Sequence, residues 1–386
     1  MENIKLFFGG DIAVAEKIKK QPISKEILFF LKNHDKVFFN WEAPIINNKS
    51  KPIIKAGPSI YQHNGFDQFF NTGLNFVFST ANNHIFDYGK EGLENTLKTL
   101  DFYKIPHFGS GLNYNDAYSP FIFEKGNIKV AVLGVAENQF GAIKPFLGND
   151  SGYAWFKHPE VLNKIKEIKE KANFLVIYIH AGLEMCDYPL PEWRMEYKKF
   201  IAYGADLVIG SHPHVIQGNE EYKGKKIYYS LGNFFFNSSN KDKRWHQSMG
   251  LSCTFNLNGS IEITEEFFKA NNDIVEILNT DHGLAKLQKL NEVLSDENRY
   301  ISIINNHCQN IWHDYYKSYF TSYTKVSRNK KYHKSHILIQ HLADYFLNTF
   351  FNKNSEMNEI LMYHNISIES HRFVVERALK IINNLS

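Results

Sequence analysis

Cysteine is scarce in this chain of 386 residues: Cys186, Cys253 and Cys308 stand far apart, with no C-x-x-C spacing. That excludes a disulfide framework and a thiolate zinc site, and three reduced, packed thiols are expected. Net charge is nearly absent, with 44 Lys+Arg against 41 Asp+Glu. Bulk electrostatics therefore gives no reason to expect a nucleic-acid partner. No apolar run approaches the ~20 residues of a membrane span. The N-terminus passes from Met1-Glu2-Asn3 directly into Leu6-Phe7-Phe8-Gly9-Gly10-Asp11. It lacks the apolar stretch and small-residue cleavage site of a signal peptide, so no transmembrane segment and a cytoplasmic location are expected. From about residue 272 onward glycine and proline nearly vanish, Gly283 being the only glycine and proline being absent.

What remains is the composition of an ordinary globular protein, 43% hydrophobic and 22% charged. The length exceeds what one core usually fills, so one large domain with an appendage is expected, divided at 1–270 and 271–386. Short apolar runs at 4–9, 36–40, 74–80, 128–135, 173–180, 206–210 and 226–231 read as strands buried on both faces. Between them 89–103, 158–172 and 191–203 carry helical spacing, the last opening on Pro191, a residue suited to a first turn. Strand–helix alternation of this kind predicts a layered α/β fold. Runs at 250–257 and 260–265, joined across Asn258-Gly259, predict an antiparallel hairpin. The region 271–386 is helix-compatible, and the basic run at 327–334 reads as a solvated loop.

The chemistry-bearing residues fall where predicted strands end. The first strand runs into Gly9-Gly10-Asp11, the second into Asn40-Trp41-Glu42, and the third into Asn82-Asn83-His84, with Asp87 one turn on. Later strands end in His180-Ala181-Gly182-Leu183-Glu184 and in Ser211-His212-Pro213-His214. Taken singly, each has a structural explanation as a turn, a cap or a hydrogen-bonded core residue. Jointly they converge, because sites in open α/β sheets lie outside the carboxyl ends of the strands. Pro213 is expected to hold His212 in a strand-like conformation and so fix the relation of two imidazoles. Carboxylate, amide and imidazole ligands without thiolate suit divalent Mn, Fe or Zn. Glu42 could bridge two ions, with His180 and His212 on one side and Asp11 and His214 on the other. Two-metal sites can deliver a hydroxide to an electrophile, leaving His84 to protonate the leaving group.

These words resemble the bacterial capsule synthesis protein CapA family (poly-γ-glutamate capsule biosynthesis), a branch of the calcineurin-like metallophosphoesterase superfamily. The matching runs are Gly10-Asp11, Asn40-Trp41-Glu42, 81–89, 180–184, 204–215 and 229–234, so the likeness covers roughly residues 3–240. The resemblance implies a four-layer sandwich of two sheets flanked by helices. It implies that Asp11, Glu42, Asn83, His180, His212 and His214 ligate two metals and that His84 is the acid–base group. Asp87 would orient His84, while Glu184 and Asn233 would support the ligands from behind. Two positions depart from the superfamily pattern. Ala13 stands where it has a histidine ligand, leaving one metal site a ligand short, and Glu42 stands where it has Asp.

Two functions stay open on this reading. The first is a metal-dependent hydrolase of surface-polymer biosynthesis, acting on a phosphoester, or alternatively an amide or γ-glutamyl bond, of a phosphorylated or polyanionic substrate. The second is a non-catalytic assembly or export factor whose phosphoesterase pocket binds a polyanion.

Overall fold

The computed structural model describes residues 2–145, 150–271, 274–317 and 360–385. The chain divides into two compact units, Met1–Ile53 with Ser59–Ile301, and Ile54–Pro58 with Ser302–Ser386. The boundary expected at 270/271 falls inside the first unit. The helix Thr280–Ser295 that follows it packs back on the sheets, with Leu287 and Leu290 in the core between them. Gly283 permits that approach, since a Cβ there would lie 2.1 Å from the Phe267 ring. In the second unit the helix Glu369–Ile382 buries Val374 and Ala378, and the Tyr316 ring lies 5.5 Å from that of His371. The basic run at 327–334 lies outside the described residues.

The first unit is built on two large sheets. One has eight strands, in the order Val275–Ile277, Ile261–Ala270, Gln247–Asn256, Asn3–Ala13, Lys36–Trp41, Phe76–Ser79 and His107–Phe108, with Asn233–Phe236 also paired to Asn3–Ala13. The other has six, in the order Asn219–Tyr222, Lys225–Tyr228, Leu207–Ser211, Phe174–His180, Ile128–Ala136 and Phe121–Lys125. Both are mixed: the six-stranded sheet is parallel at its centre and antiparallel at both edges, while the eight-stranded one is parallel from Asn3–Ala13 to His107–Phe108 and antiparallel from Asn3–Ala13 to Val275–Ile277.

The continuous apolar runs are explained by the period of two along a strand. Ile4, Leu6 and Phe8 meet Val130, Val132, Val176, Tyr178, Leu207 and Ile209 in a core between the two sheets. The opposite face, with Phe7, Val37, Phe39, Phe76 and Phe78, packs on Ile27 and Leu31 of the helix Lys25–Leu31. On the far side of the six-stranded sheet, Leu175, Ile177 and Val208 are buried under the helices Val161–Lys169 and Pro191–Ala202. Helix, sheet, sheet and helix thus form the expected four layers. The predicted strands match within a few residues, except that 226–231 stops at Tyr228 and the chain forms a new strand at Asn233–Phe236. The hairpin turns where expected, with Gly259 at φ 88°. The two-residue strands and Lys25–Leu31 were not legible, being too short for a periodic signal.

Two outcomes test this packing. Phe38 is fully buried between the sheets and stacks on Phe8 with ring centroids 4.8 Å apart. Phe38→Ala should cost about 3–5 kcal/mol in urea unfolding. Buried His34, with Nε2 2.8 Å from Ser252 Oγ, titrates at about 4 because burial, and then the charge of Lys5, disfavours its cation. The unfolded imidazole titrates near 6.5, so the unfolded chain takes up the proton first as pH falls. Stability should therefore decline from pH 6.5 towards 4, and His34→Gln should flatten that slope when unfolding midpoints are compared at pH 7 and pH 5.

Candidate metal centre

The parallel strands of both sheets end at one rim, and the candidate residues lie there. Gly9 and Gly10 bring the first strand to it. A Cβ on Gly10 would fall 1.7 Å from the Gly232 carbonyl oxygen, whose partner is the Asp11 N–H at 3.1 Å. Asp11 then points its carboxylate inward. Oδ1 accepts from Asn40 Nδ2 at 2.8 Å, and Oδ2 accepts from the His212 N–H at 3.2 Å. His180 Nδ1 and His214 Nδ1 stand 3.4 and 3.7 Å from the two oxygens. Burial opposes ionisation of Asp11, but the His180 and His214 imidazoles outweigh it and hold the carboxyl below its usual range.

Glu42 is in a different position. It is fully buried, and neither carboxylate oxygen accepts a hydrogen bond among the described residues. Its Oε1 lies 3.8 Å from His180 Nε2 and 3.7 Å from His214 Nε2, contacts too long for hydrogen bonds. Burial, and then the charges of Asp11, Glu184 and Asp87, push its carboxyl well above the usual range. The flanking Ala43 has φ 98°, a left-handed backbone that a non-glycine residue adopts at a cost.

The histidines complete the cluster. His180 Nε2 is 2.9 Å from Asn83 Oδ1 and 3.0 Å from His212 Nδ1. His214 Nδ1 meets Asn233 Oδ1 at 2.8 Å, and Asn233 Nδ2 donates to the Trp245 carbonyl, so Asn233 sets the orientation of that ring. His212 was expected in a strand-like conformation ahead of Pro213. It has φ 95° instead, and its N–H is drawn to Asp11, while His214 has φ 59°. Strain of this kind costs about 1–3 kcal/mol per residue and persists only where the surroundings impose it.

His84 stands apart. It is the more accessible residue, 13% exposed, and its Nδ1 is 2.7 Å from Oδ2 of fully buried Asp87. Asp87 also accepts from the Ile60 N–H at 2.9 Å. The helix Gly89–Phe102 has Tyr88 at its N-cap and no side-chain cap, so Asp87 serves His84 and not the helix end.

Residues 5–238 match the family described as "Bacterial capsule synthesis protein PGA_cap". The chain belongs to that family. Among relatives, the "Capsule biosynthesis protein CapA" of Bacillus anthracis is 29% identical over 251 residues, covering 61% of this chain and 60% of that protein. The "PGA biosynthesis protein CapA" of Bacillus subtilis (strain 168) is 31% identical over 242 residues, covering 59% and 62%. The match thus spans less than two thirds of those relatives. A solved putative 5'-nucleotidase from Staphylococcus aureus, in complex with alpha-ketoglutarate, aligns with TM-score 0.45 and 16% identity over 76% of this chain and 58% of that one.

In this PGA_cap chain three sets of ligand atoms lie within 4.8 Å of one another: Glu184 with His212 and His214, and two buried sets, Glu42 with His180 and His212 and Asp11 with Glu42 and His214. Glu42 is common to both buried sets. A divalent ion suits such a donor set, and the unpartnered Glu42 carboxylate is the observation that fits one most directly, because a buried anion left without a partner is costly. Asn83 adjoins His180 but also donates from Nδ2 to Gln139 Oε1 at 3.2 Å. Sequence reading missed Asn40, which holds both Asp11 and His180, and Glu137, fully buried with Oε1 3.6 Å from His212 Nε2. Glu137 directly follows the strand Ile128–Ala136, so the strand-end rule that found the others points to it as well. No helix among the described residues is long and apolar enough to cross a membrane.

Metal binding has a direct test. Excess manganese(II) or zinc(II) should raise the melting temperature of the full chain, with ~2.7 kcal/mol of stabilisation at 100 times Kd. Glu42→Gln should remove most of that shift; an unresponsive wild type counts against the centre.

Proposed function

We propose that this chain is a metal-dependent hydrolase acting on a phosphoester bond, or on an amide such as a γ-glutamyl bond, of a capsule-type surface polymer or its precursor. The observation carrying the reading is the pairing of two unlike arrangements at one rim. One is a buried cluster of Asp11, Glu42, His180, His212 and His214; the other is the more accessible His84 backed by Asp87. The names of the Bacillus relatives support a role in capsule or PGA biosynthesis.

Asp11, Glu42, His180, His212 and His214, with Asn83, would hold the metal. Bound divalent ions would supply Lewis acidity and lower the pKa of a nearby water. The chain supplies the rest. Asn40 and Asn233 fix Asp11, His180 and His214 before substrate arrives. Asp87 holds His84 by Nδ1, which leaves Nε2 as the nitrogen that gives a proton to the departing oxygen or amine. Asp87 is therefore a positioning residue, which fixes the orientation of the His84 ring.

His84→Asn should lower kcat by about 10²–10⁴-fold on the substrate class the protein accepts, with metal content unchanged. Asp87→Asn should lower kcat less than His84→Asn does, again with metal content unchanged. The assay panel is a phosphomonoester, a phosphodiester and a γ-glutamyl amide. Absence of hydrolysis with all three, together with polymer binding that survives chelation, would favour the polyanion-binding reading.

A further inference from the structure

Each of the two donor sets that share Glu42 offers three donors, and their surroundings differ. The set of Asp11, Glu42 and His214 has three donors, fewer than the four or more that Zn or Mn ordinarily takes. One flank of this set is closed by hydrocarbon. Ala13, 2% exposed, sits in an apolar cluster with Phe236 and Trp245, and Ile60 and Met185 pack against it. The Trp245 ring lies 4.5 Å from the His214 ring and covers that side.

The open side presents Glu184. It is exposed, yet a carboxylate oxygen lies within 4.8 Å of ligand atoms of both His212 and His214. Its position is built rather than incidental. Gly182, at φ 138°, lies so close to Pro213 that a Cβ would be 2.8 Å from the ring, and the Met185 N–H donates to the Pro213 carbonyl at 2.9 Å. Gln217 Nε2 ties down the Cys186 carbonyl at 2.9 Å, and Arg244 Nη1 holds Asp187 at 2.9 Å. Glu184 is thus carried on a loop fastened to the same His212-Pro213-His214 turn that presents two of the ligands. The other acids at the rim, Asp11, Glu42, Asp87 and Glu137, are fully buried.

We infer that Glu184 is a metal ligand that, beside His212 and His214, completes from the solvent side the coordination of the ion His214 helps to hold. Because it is exposed, it is also the ligand that an incoming anionic substrate would displace most readily. This rests on the metal-centre reading above.

The test is manganese(II) binding to the full chain, followed by electron paramagnetic resonance and metal analysis, for wild type, Glu184→Gln and Glu184→Asp. Wild type should bind two ions. Glu184→Gln should weaken one of them by at least ~10–100-fold and leave the other within twofold. Glu184→Asp keeps the charge but shortens the reach, and should fail to restore the weakened ion. If wild type binds no manganese, the metal centre itself fails. If wild type binds two ions and Glu184→Gln keeps both, or loses both equally with Glu184→Asp restoring them, then Glu184 acts through its charge alone or not at all, and only this inference is overturned. An unchanged circular dichroism spectrum of each metal-free variant excludes misfolding as the cause.

Discussion

Asp11 and Glu42 are both fully buried at the rim where the two sheets end, and the electrostatics of that pair governs what surrounds them. A carboxylate taken out of water needs compensation. Asp11 receives it from Asn40, from the His212 N–H and from two imidazoles. Glu42 receives none by hydrogen bonding, and its carboxyl is driven towards the neutral form. Such an arrangement is unfavourable as a means of holding a fold together. It becomes reasonable if a cation completes it, and the histidines lie at distances suited to sharing that cation.

The rest of the first unit can be read as the scaffold that keeps this arrangement in place. Fully buried strands on both sheets leave the rim residues little freedom, because the backbone that carries them is locked from two sides. The glycines at 9 and 10 let the first strand approach Phe39 and Gly232 closely enough to aim Asp11 inward. Positive φ at Ala43, His212 and His214 places three strained residues around the same few ångströms. Lys104, Met185 and Lys223 also have positive φ, but the two largest non-glycine values, at Ala43 and His212, flank or belong to the candidate ligands, where strain can serve binding.

Much of this was legible before any coordinates. Buried parallel strands appear in sequence as short continuous apolar runs, so the α/β class and most strand positions could be read directly. Polar residues at the ends of those runs stood out for the same reason. Glu137 could have been found by that rule. Asn40 could not, because an amide beside a candidate ligand looks like any turn residue until its two partners are known. The extent of the first unit was hidden as well: the helix Thr280–Ser295 sits beyond the change in composition near 272, and only packing against Phe267 assigns it to the sheets.

By itself, then, the sequence determined the order of strands and helices, the burial of both sheet faces and the identity of the residues at the rim, because periodicity and residue type are local properties. Tertiary structure decided which of those residues meet. It left Glu42 without a hydrogen bond, turned His212 out of the extended backbone, gave Asp87 to His84 rather than to a helix end, and surrounded Ala13 with hydrocarbon while bringing Glu184 to the open side. Apart from the His84–Asp87 pair, three residues apart, each of these depends on groups tens to hundreds of residues apart, whose distances are set only when the two sheets close on a common core.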